Sequence, residues 1–212
     1  DKNKYVANSK LNDKYKPLLY GKSFTRYRIR ETNDYILYDR ELLNRARKEE
    51  IYLSNKIIIQ RISGGLIPLK GTIDRNQYYT FNSVNNLVPK KEYEEYLSFF
   101  LALINSKLIN WYYAIKFSNR SNLTVNISKT FLEILPIKLS SEELILKKIN
   151  TMVDNLLELN QNFQKILSSS IYLIESKFDN IANNRKINAW YKLDFKEFIS
   201  ELNKNSVSLT IS

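Results

Sequence analysis

The chain has 212 residues, 43% of them hydrophobic and 13% aromatic. That is enough apolar side chain for one large domain or two small ones, and too much for a disordered chain. With no cysteine and no histidine, a disulfide framework, a thiol nucleophile, a zinc–cysteine site and the commonest general base are all excluded. The net charge of +11 is unevenly spread: residues 1–138 carry 24 of the 33 Lys and Arg and 13 of the 22 acids, whereas residues 139–212 carry nine of each. A polyanionic partner accounts for this asymmetry, since a merely solubilising charge has no reason to collect in one part of the chain.

The sequence opens on Asp1 and its single Met is Met152, so we expect a piece of a longer product with further chemistry upstream. The N-terminus is polar and lacks the apolar core of a signal peptide. All four glycines and three of the four prolines precede residue 90, which is the punctuation of short strands. Strands are expected at YILY (35–38), at KIIIQRI (56–62), whose continuous β-branched run suits burial on both faces, and at QYYTFN (77–82). RELLNRARKEE (40–50) reads as a charged surface helix, and Gly64-Gly65 as a turn.

From Glu92 the apolar period becomes helical. One helix should end near Ile104, and Asn105 or Ser106 can cap a second, LINWYYAI. Asn105, Ser106, Lys107 and Asn110 interrupt this apolar stretch, so it predicts a pair of core helices rather than a bilayer span. KFSNRSNLTVNISK (116–129) reads as a surface loop, inside a stretch (96–132) that has no acid. At LPIKLSSEEL, Ser140 with Glu143 forms a capping box and Leu139 with Leu144 a hydrophobic staple. The helix they start should run to about Phe178, roughly 50 Å. Leu146, Ile149, Val153, Leu156, Phe163, Leu167 and Ile174 fall on its heptad a/d positions. That seam can be covered by the helix's own domain or by a partner helix through residues 141–178. DFKEFISELNK is a short helix capped by Asp194, and VSLTI (207–211) alternates as a strand. The expected class is α+β: a mixed α/β domain over 15–138, a long coiled-coil-like helix over 139–180 and a short helix-strand tail over 181–212.

No Gly-rich phosphate loop and no NPPY-type methyltransferase motif occurs. Glu175-Ser176-Lys177 has nuclease-like spacing but lies on a neutral helix without an apt Asp before it. The chemistry that is present suits nucleic acid: cations for phosphates and polar side chains on loops for base edges. LYGKSFTRYRIR offers Lys22, Arg26, Arg28 and Arg30, with no acid between residues 14 and 30. Alternation places the three arginines on one strand face. Arg61 ends an apolar strand and should reach either a carboxylate such as Asp74 or the ligand, because a buried unpaired guanidinium is costly. Of Tyr78 and Tyr79, at least one should be core. Arg75, Lys116 and Lys129 add positive charge. In the loop, Ser118, Asn119, Arg120 and Asn122 are donors and acceptors of the kinds that read purine edges.

LLYGKSFTRYRI, ILYDRELL, NKIIIQRISGGL, DRNQYYTFNSV, ALINSKLINWYY and FLEILPI occur in an order that resembles the TaqI-like C-terminal specificity domain. That domain belongs to adenine-specific DNA methyltransferases, including single-chain type IIG restriction-modification enzymes. NSKLINWYY and LPI also resemble the specificity subunits of type I systems. The long helix and WYKLDFKEFISEL resemble segments that follow the domain in type IIG enzymes. The resemblance implies a double-stranded DNA recognition module, itself not an enzyme, working in the prokaryotic cytoplasm. It further implies an upstream base-flipping methyltransferase domain that holds S-adenosylmethionine; this chain is expected to hold no cofactor and no metal. The competing expectation is an assembly or interaction module whose long helix docks a partner, with only non-specific nucleic-acid binding.

Overall fold

The computed structural model describes residues 2–30, 32–43, 46–65, 67–117, 124–178 and 184–204. Its first part holds α1 (Lys2–Tyr5), β1 (Val6–Ala7), β2 (Tyr15–Leu19), β3 (Phe24–Thr25), β4 (Arg28–Ile29), β5 (Tyr35–Leu37), α2 (Glu50–Leu53), β6 (Lys56–Gln60), β7 (Ile62–Gly64), β8 (Gly71–Asp74), β9 (Tyr79–Thr80) and β10 (Val84–Leu87). There follow α3 (Leu97–Asn105), α4 (Lys107–Phe117), β11 (Thr124–Asn126), α5 (Lys129–Glu133), α6 (Glu143–Lys177) and α7 (Phe195–Asn203), with 3-10 helices at Gly21–Ser23, Lys91–Tyr96 and Ile187–Lys192. The class is α+β, with the long helix after the sheets, as expected. The chain divides into two compact units, Asp1–Asn160 and Gln161–Ser212.

In the first unit, β6 is the centre of an antiparallel sheet ordered β10-β6-β8. Ile57 and Ile59 join Leu97, Leu101, Ile104, Ile109 and Tyr113 of α3 and α4 in one apolar cluster. Ile58 points the other way, to Leu19, Phe24 and Val84. Cover on both faces is why this strand is a continuous apolar run rather than an alternating one. A second sheet, β1-β5-β2-β9, is antiparallel except for the parallel pair β2–β9.

Tertiary contacts trim three expected elements. KIIIQRI breaks at Arg61, whose N–H donates to Ser83 O and whose carbonyl accepts from Ile127 N, so the chain leaves the sheet and restarts as β7. QYYTFN narrows to β9 because Gln77 adopts φ +58° and the Tyr78 N–H is taken by Asp74. RELLNRARKEE is not a helix over its described residues before Glu50. Arg47 instead donates to Thr80 Oγ1 at 2.9 Å and Val84 O at 2.8 Å, and its carbonyl accepts from the Tyr38 hydroxyl. Those bonds to the sheets hold the segment open against its helical propensity.

Two buried polar arrangements join the elements. Lys56 Nζ lies 2.6 Å from Asp74 Oδ2 with both side chains fully buried, and it also donates to Tyr52 O. Asp74 in turn accepts from the N–H groups of Asn76 and Tyr78. Burial pushes the Lys56 ammonium below its ordinary pKa, and the Asp74 carboxylate opposes that shift. The second arrangement is at the α3–α4 corner. Asn105, fully buried, donates to Gly71 O and accepts from Gly71 N, each at 3.0 Å. Asn110 accepts from Leu69 N at 2.7 Å and donates to Ile104 O and Ser106 O. A Cβ on Gly71 would sit 3.3 Å from Ile58 O, so glycine permits the close approach. Of the two candidate caps, Ser106 is the one used: its Oγ accepts from Ile109 N.

α6 starts at Glu143 and runs 35 residues. The expected staple does not form, since Leu144 is 79% exposed. Ser140 accepts from Glu142 N rather than from residue 143, and Glu143 pairs with Lys147 at 2.7 Å. In the first unit the buried row is Leu146, Ile149, Val153 and Leu157, against the unit's own core. Leu156, assigned to the heptad seam, faces outward, because a straight helix keeps its 3.6-residue period and drifts off a 3.5-residue one. No described helix is long and apolar enough to cross a membrane.

In the second unit, Ile187 and Leu202 are buried against Ile174, Phe178, Phe198 and Ile199, and Phe163 meets Tyr191 edge-on. Asp194 caps α7 as expected: it accepts from Glu197 N at 2.7 Å, while Glu197 accepts from Asp194 N. Glu201 is bonded by Lys186 and Lys204, each at 2.8 Å. VSLTI lies outside the described residues.

Asn105→Ala would strand the Gly71 N–H in the core and leave Gly71 O with the Tyr27 N–H as its remaining bond outside the sheet ladder. It should lower unfolding free energy by about 1–3 kcal/mol, measured by urea denaturation. Hydrogen bonds from Lys186, then from Lys204, hold the Glu201 carboxyl below its ordinary value of 4.5. Its stabilisation is therefore complete above pH 4.5 and is lost as pH falls through the lowered folded value. Acid unfolding read from Trp190 fluorescence, in a Trp111→Phe background, should show that loss weakened in Glu201→Gln.

Candidate nucleic-acid interface

The basic side chains of the first unit divide by what they touch. Arg26 does not share a strand face with Arg28 and Arg30; it lies at the turn of the β3–β4 hairpin, where Tyr27 takes φ +58°. There Arg26 Nη2 donates to Asn105 O at 2.6 Å, and the Tyr27 N–H donates to Gly71 O. Arg26 is thus a tie between the hairpin tip and the end of α3. Arg75 pairs with Asp154 of α6 at 3.0 Å, and Lys129 with Glu133 one turn on at 3.3 Å.

Of the other candidate cations, Lys22, Arg30 and Lys116 are exposed and Arg28 is half-buried. Lys22 is exposed on the 3-10 helix Gly21–Ser23, with its Nζ 6.0 Å from the centre of the Tyr20 ring. Arg30 is exposed, and its N–H bonds Ser23 O at 2.8 Å, which sets it beside the residue next to Lys22. Arg28, two residues earlier, is half-buried and its Nε has no partner among the described residues. Lys116 is exposed in the last turn of α4. Ser118, Asn119, Arg120 and Asn122 lie outside the described residues.

Arg61 does not reach the carboxylate expected as one of its two partners. It is exposed, donating through Nε to Asn126 Oδ1 and through Nη1 to Asn82 O, each at 3.3 Å. Asp74 is already taken by Lys56. Nothing in the local sequence ranked Lys56 above Arg61 as that partner; only the register Lys56↔Asp74 between β6 and β8 decides it. Of the adjacent tyrosines, Tyr79 is core: it stacks on Tyr52 at 4.4 Å and bonds Glu49. Tyr78 is half-buried against the Ile58 cluster.

Arg61 and Lys129 also stand on the wall of a groove of about 770 Å³, where Leu87, Leu97, Phe100 and Leu132 provide apolar surface and Asn85 and Asn86 provide amides. A smaller hollow of about 370 Å³ is lined by Glu94, Glu95 and Asp154 with Arg75. Its charge has the wrong sign for a polyanion. The motif reading missed Asn85, Asn86 and Asn126, because isolated asparagines in short strands carry no periodic signal.

Arg26→Ala should cost about 1–3 kcal/mol of stability, the range for a hydrogen bond from a charged donor. Chemical denaturation would measure it. The variant should bind duplex DNA with an unchanged salt dependence, since its guanidinium is committed inside the fold.

A model of the TaqI-like C-terminal specificity domain matches residues 16–137. A model of a domain of unknown function (DUF8810) matches residues 141–212. No curated protein matches the chain. The first match covers more than half of the sequence, contains Lys22, Arg26, Arg28, Arg30, Arg61, Arg75, Lys116 and Lys129, and is the kind of domain that recognises DNA sequence in methyltransferase-type proteins. The chain belongs to the TaqI-like C-terminal specificity domain family.

Proposed function

We propose that this chain is the double-stranded DNA target-recognition module of a restriction-modification adenine methyltransferase. It holds and selects the duplex for a catalytic domain that carries S-adenosylmethionine and performs methyl transfer, while itself catalysing nothing. The observation that carries the reading is the patch formed by Lys22, Arg28 and Arg30, with Lys116 as a further open cation. The patch lies in a stretch free of acids from residue 14 to residue 30. The half-buried Arg28 adds a third guanidinium or ammonium charge to that patch. The chain's C-terminal third is charge-balanced by comparison. A working site in the prokaryotic cytoplasm belongs to the same proposal.

A second reading, an assembly module, has one observation behind it. Ile145, Met152 and Leu159, each seven residues apart on α6, are 40%, 58% and 65% exposed. Salt-dependent retention of DNA separates the two readings.

Four neutralised phosphates give a slope of log affinity against log salt of about −3.6 on duplex DNA, since each contributes roughly −0.9. Fluorescence anisotropy from low to moderate salt should return that value or a steeper one. Replacing Arg28 and Arg30 by Ala should weaken all sequences alike and flatten the slope by about two. A wild-type slope near zero would end the DNA reading.

A further inference from the structure

We infer that the two-stranded ribbon β7–β11 is the element of this module that reads base edges in the major groove, with Arg61 selecting a guanine and Ile62 a thymine. This rests on the DNA-recognition reading above. It adds the residues that determine specificity, as distinct from the patch that holds phosphates.

The ribbon is antiparallel, with Ile62 opposite Asn126, Ser63 opposite Val125 and Gly64 opposite Thr124. Side chains alternate between its two faces. Ser63 is buried, and Val125 packs on the main core, which anchors one face. The other presents Ile62, Thr124 and Asn126, all exposed. Ile62 is 61% exposed, a large β-branched side chain set beside polar neighbours and away from the apolar clusters. Stability gives no reason to place it there. A thymine C5-methyl does, because it is the apolar feature of the major groove.

Arg61 stands at the base of the same ribbon. Asn126 Oδ1 and Asn82 O hold its Nε and Nη1, leaving Nη2 without a partner among the described residues. The guanidinium is therefore oriented before any ligand arrives, and a bidentate contact to guanine O6 and N7 needs an oriented planar fork.

Size and charge point to duplex DNA as the occupant. Two paired strands stand about 4.8 Å apart, and with their side chains they fit a major groove about 12 Å wide. Both strands come from stretches without a single acid, residues 51–73 and 96–132, so no carboxylate on either strand repels the phosphates flanking the groove.

The test is selection of duplexes from a pool with a randomised 14-base-pair centre, using the full 212-residue chain and the variants Arg61→Lys and Ile62→Ala. Circular dichroism checks that each variant is folded. The wild type should enrich a motif. Arg61→Lys keeps the charge and loses the fork, so it should hold the unselected pool within about 2-fold. Its preference at one G·C pair should fall by about 10-fold or more, within the range of a lost bidentate contact. Ile62→Ala should relax one T·A pair and leave the others. If both variants enrich the wild-type motif with undiminished strength, or if the wild type binds the pool and enriches nothing, the ribbon is not the reader while DNA binding stands. A wild type that retains no duplex even at low salt overturns the DNA reading and this inference together.

Discussion

One glycine carbonyl fixes the geometry of the first unit. Gly71 O accepts from Asn105 Nδ2 at 3.0 Å and from Tyr27 N at 3.1 Å, while Gly71 N donates to Asn105 Oδ1. The start of β8, the end of α3 and the tip of the β3–β4 hairpin therefore meet at a single residue. Asn110 repeats the device two residues upstream, at Leu69 N. Buried amides used in this way satisfy backbone groups outside the sheet ladder, where leaving them open would cost about 1–3 kcal/mol each. Because the joint is made of directional hydrogen bonds, it sets orientation as well as cohesion. Through it the basic hairpin is held against the rigid helical corner.

That joint also separates two kinds of cation. Arg26, Arg47 and Lys56 spend their donors on backbone carbonyls, a hydroxyl and a carboxylate within the fold. Lys22, Arg30 and Lys116 remain in solvent. A net charge of +11 therefore overstates what is available to a polyanion. Arg61 belongs to neither kind. It is oriented by two oxygens yet exposed, the condition of a side chain prepared to make a specific contact rather than a diffuse one.

α6 serves each unit in turn with a different stretch of its apolar row. Leu146 and Val153 are buried in the first unit, and Ile174 packs on the small core of the second. Among the described residues of the second unit, Ile187 and Leu202 are the buried apolar ones, and Lys186, Glu201 and Lys204 form a charged cluster.

The sequence by itself determined the class, the core strand, the helix pair, the long helix and the concentration of positive charge in residues 1–138. These are signals of composition and period, and they survive because KIIIQ, LSFFLALI and the α6 row each carry many residues of the same kind. The ordered strings from LLYGKSFTRYRI to FLEILPI determined the family. Tertiary structure alone decided the fate of single side chains. Arg26 turned inward to Asn105, Lys56 rather than Arg61 met Asp74, and Arg47 opened an expected helix. In each case the outcome depended on a partner more than thirty residues away or on a register between elements. A local pattern specifies which face is apolar, but a hydrogen bond or an ion pair needs a distance, and distances exist only once the chain has folded.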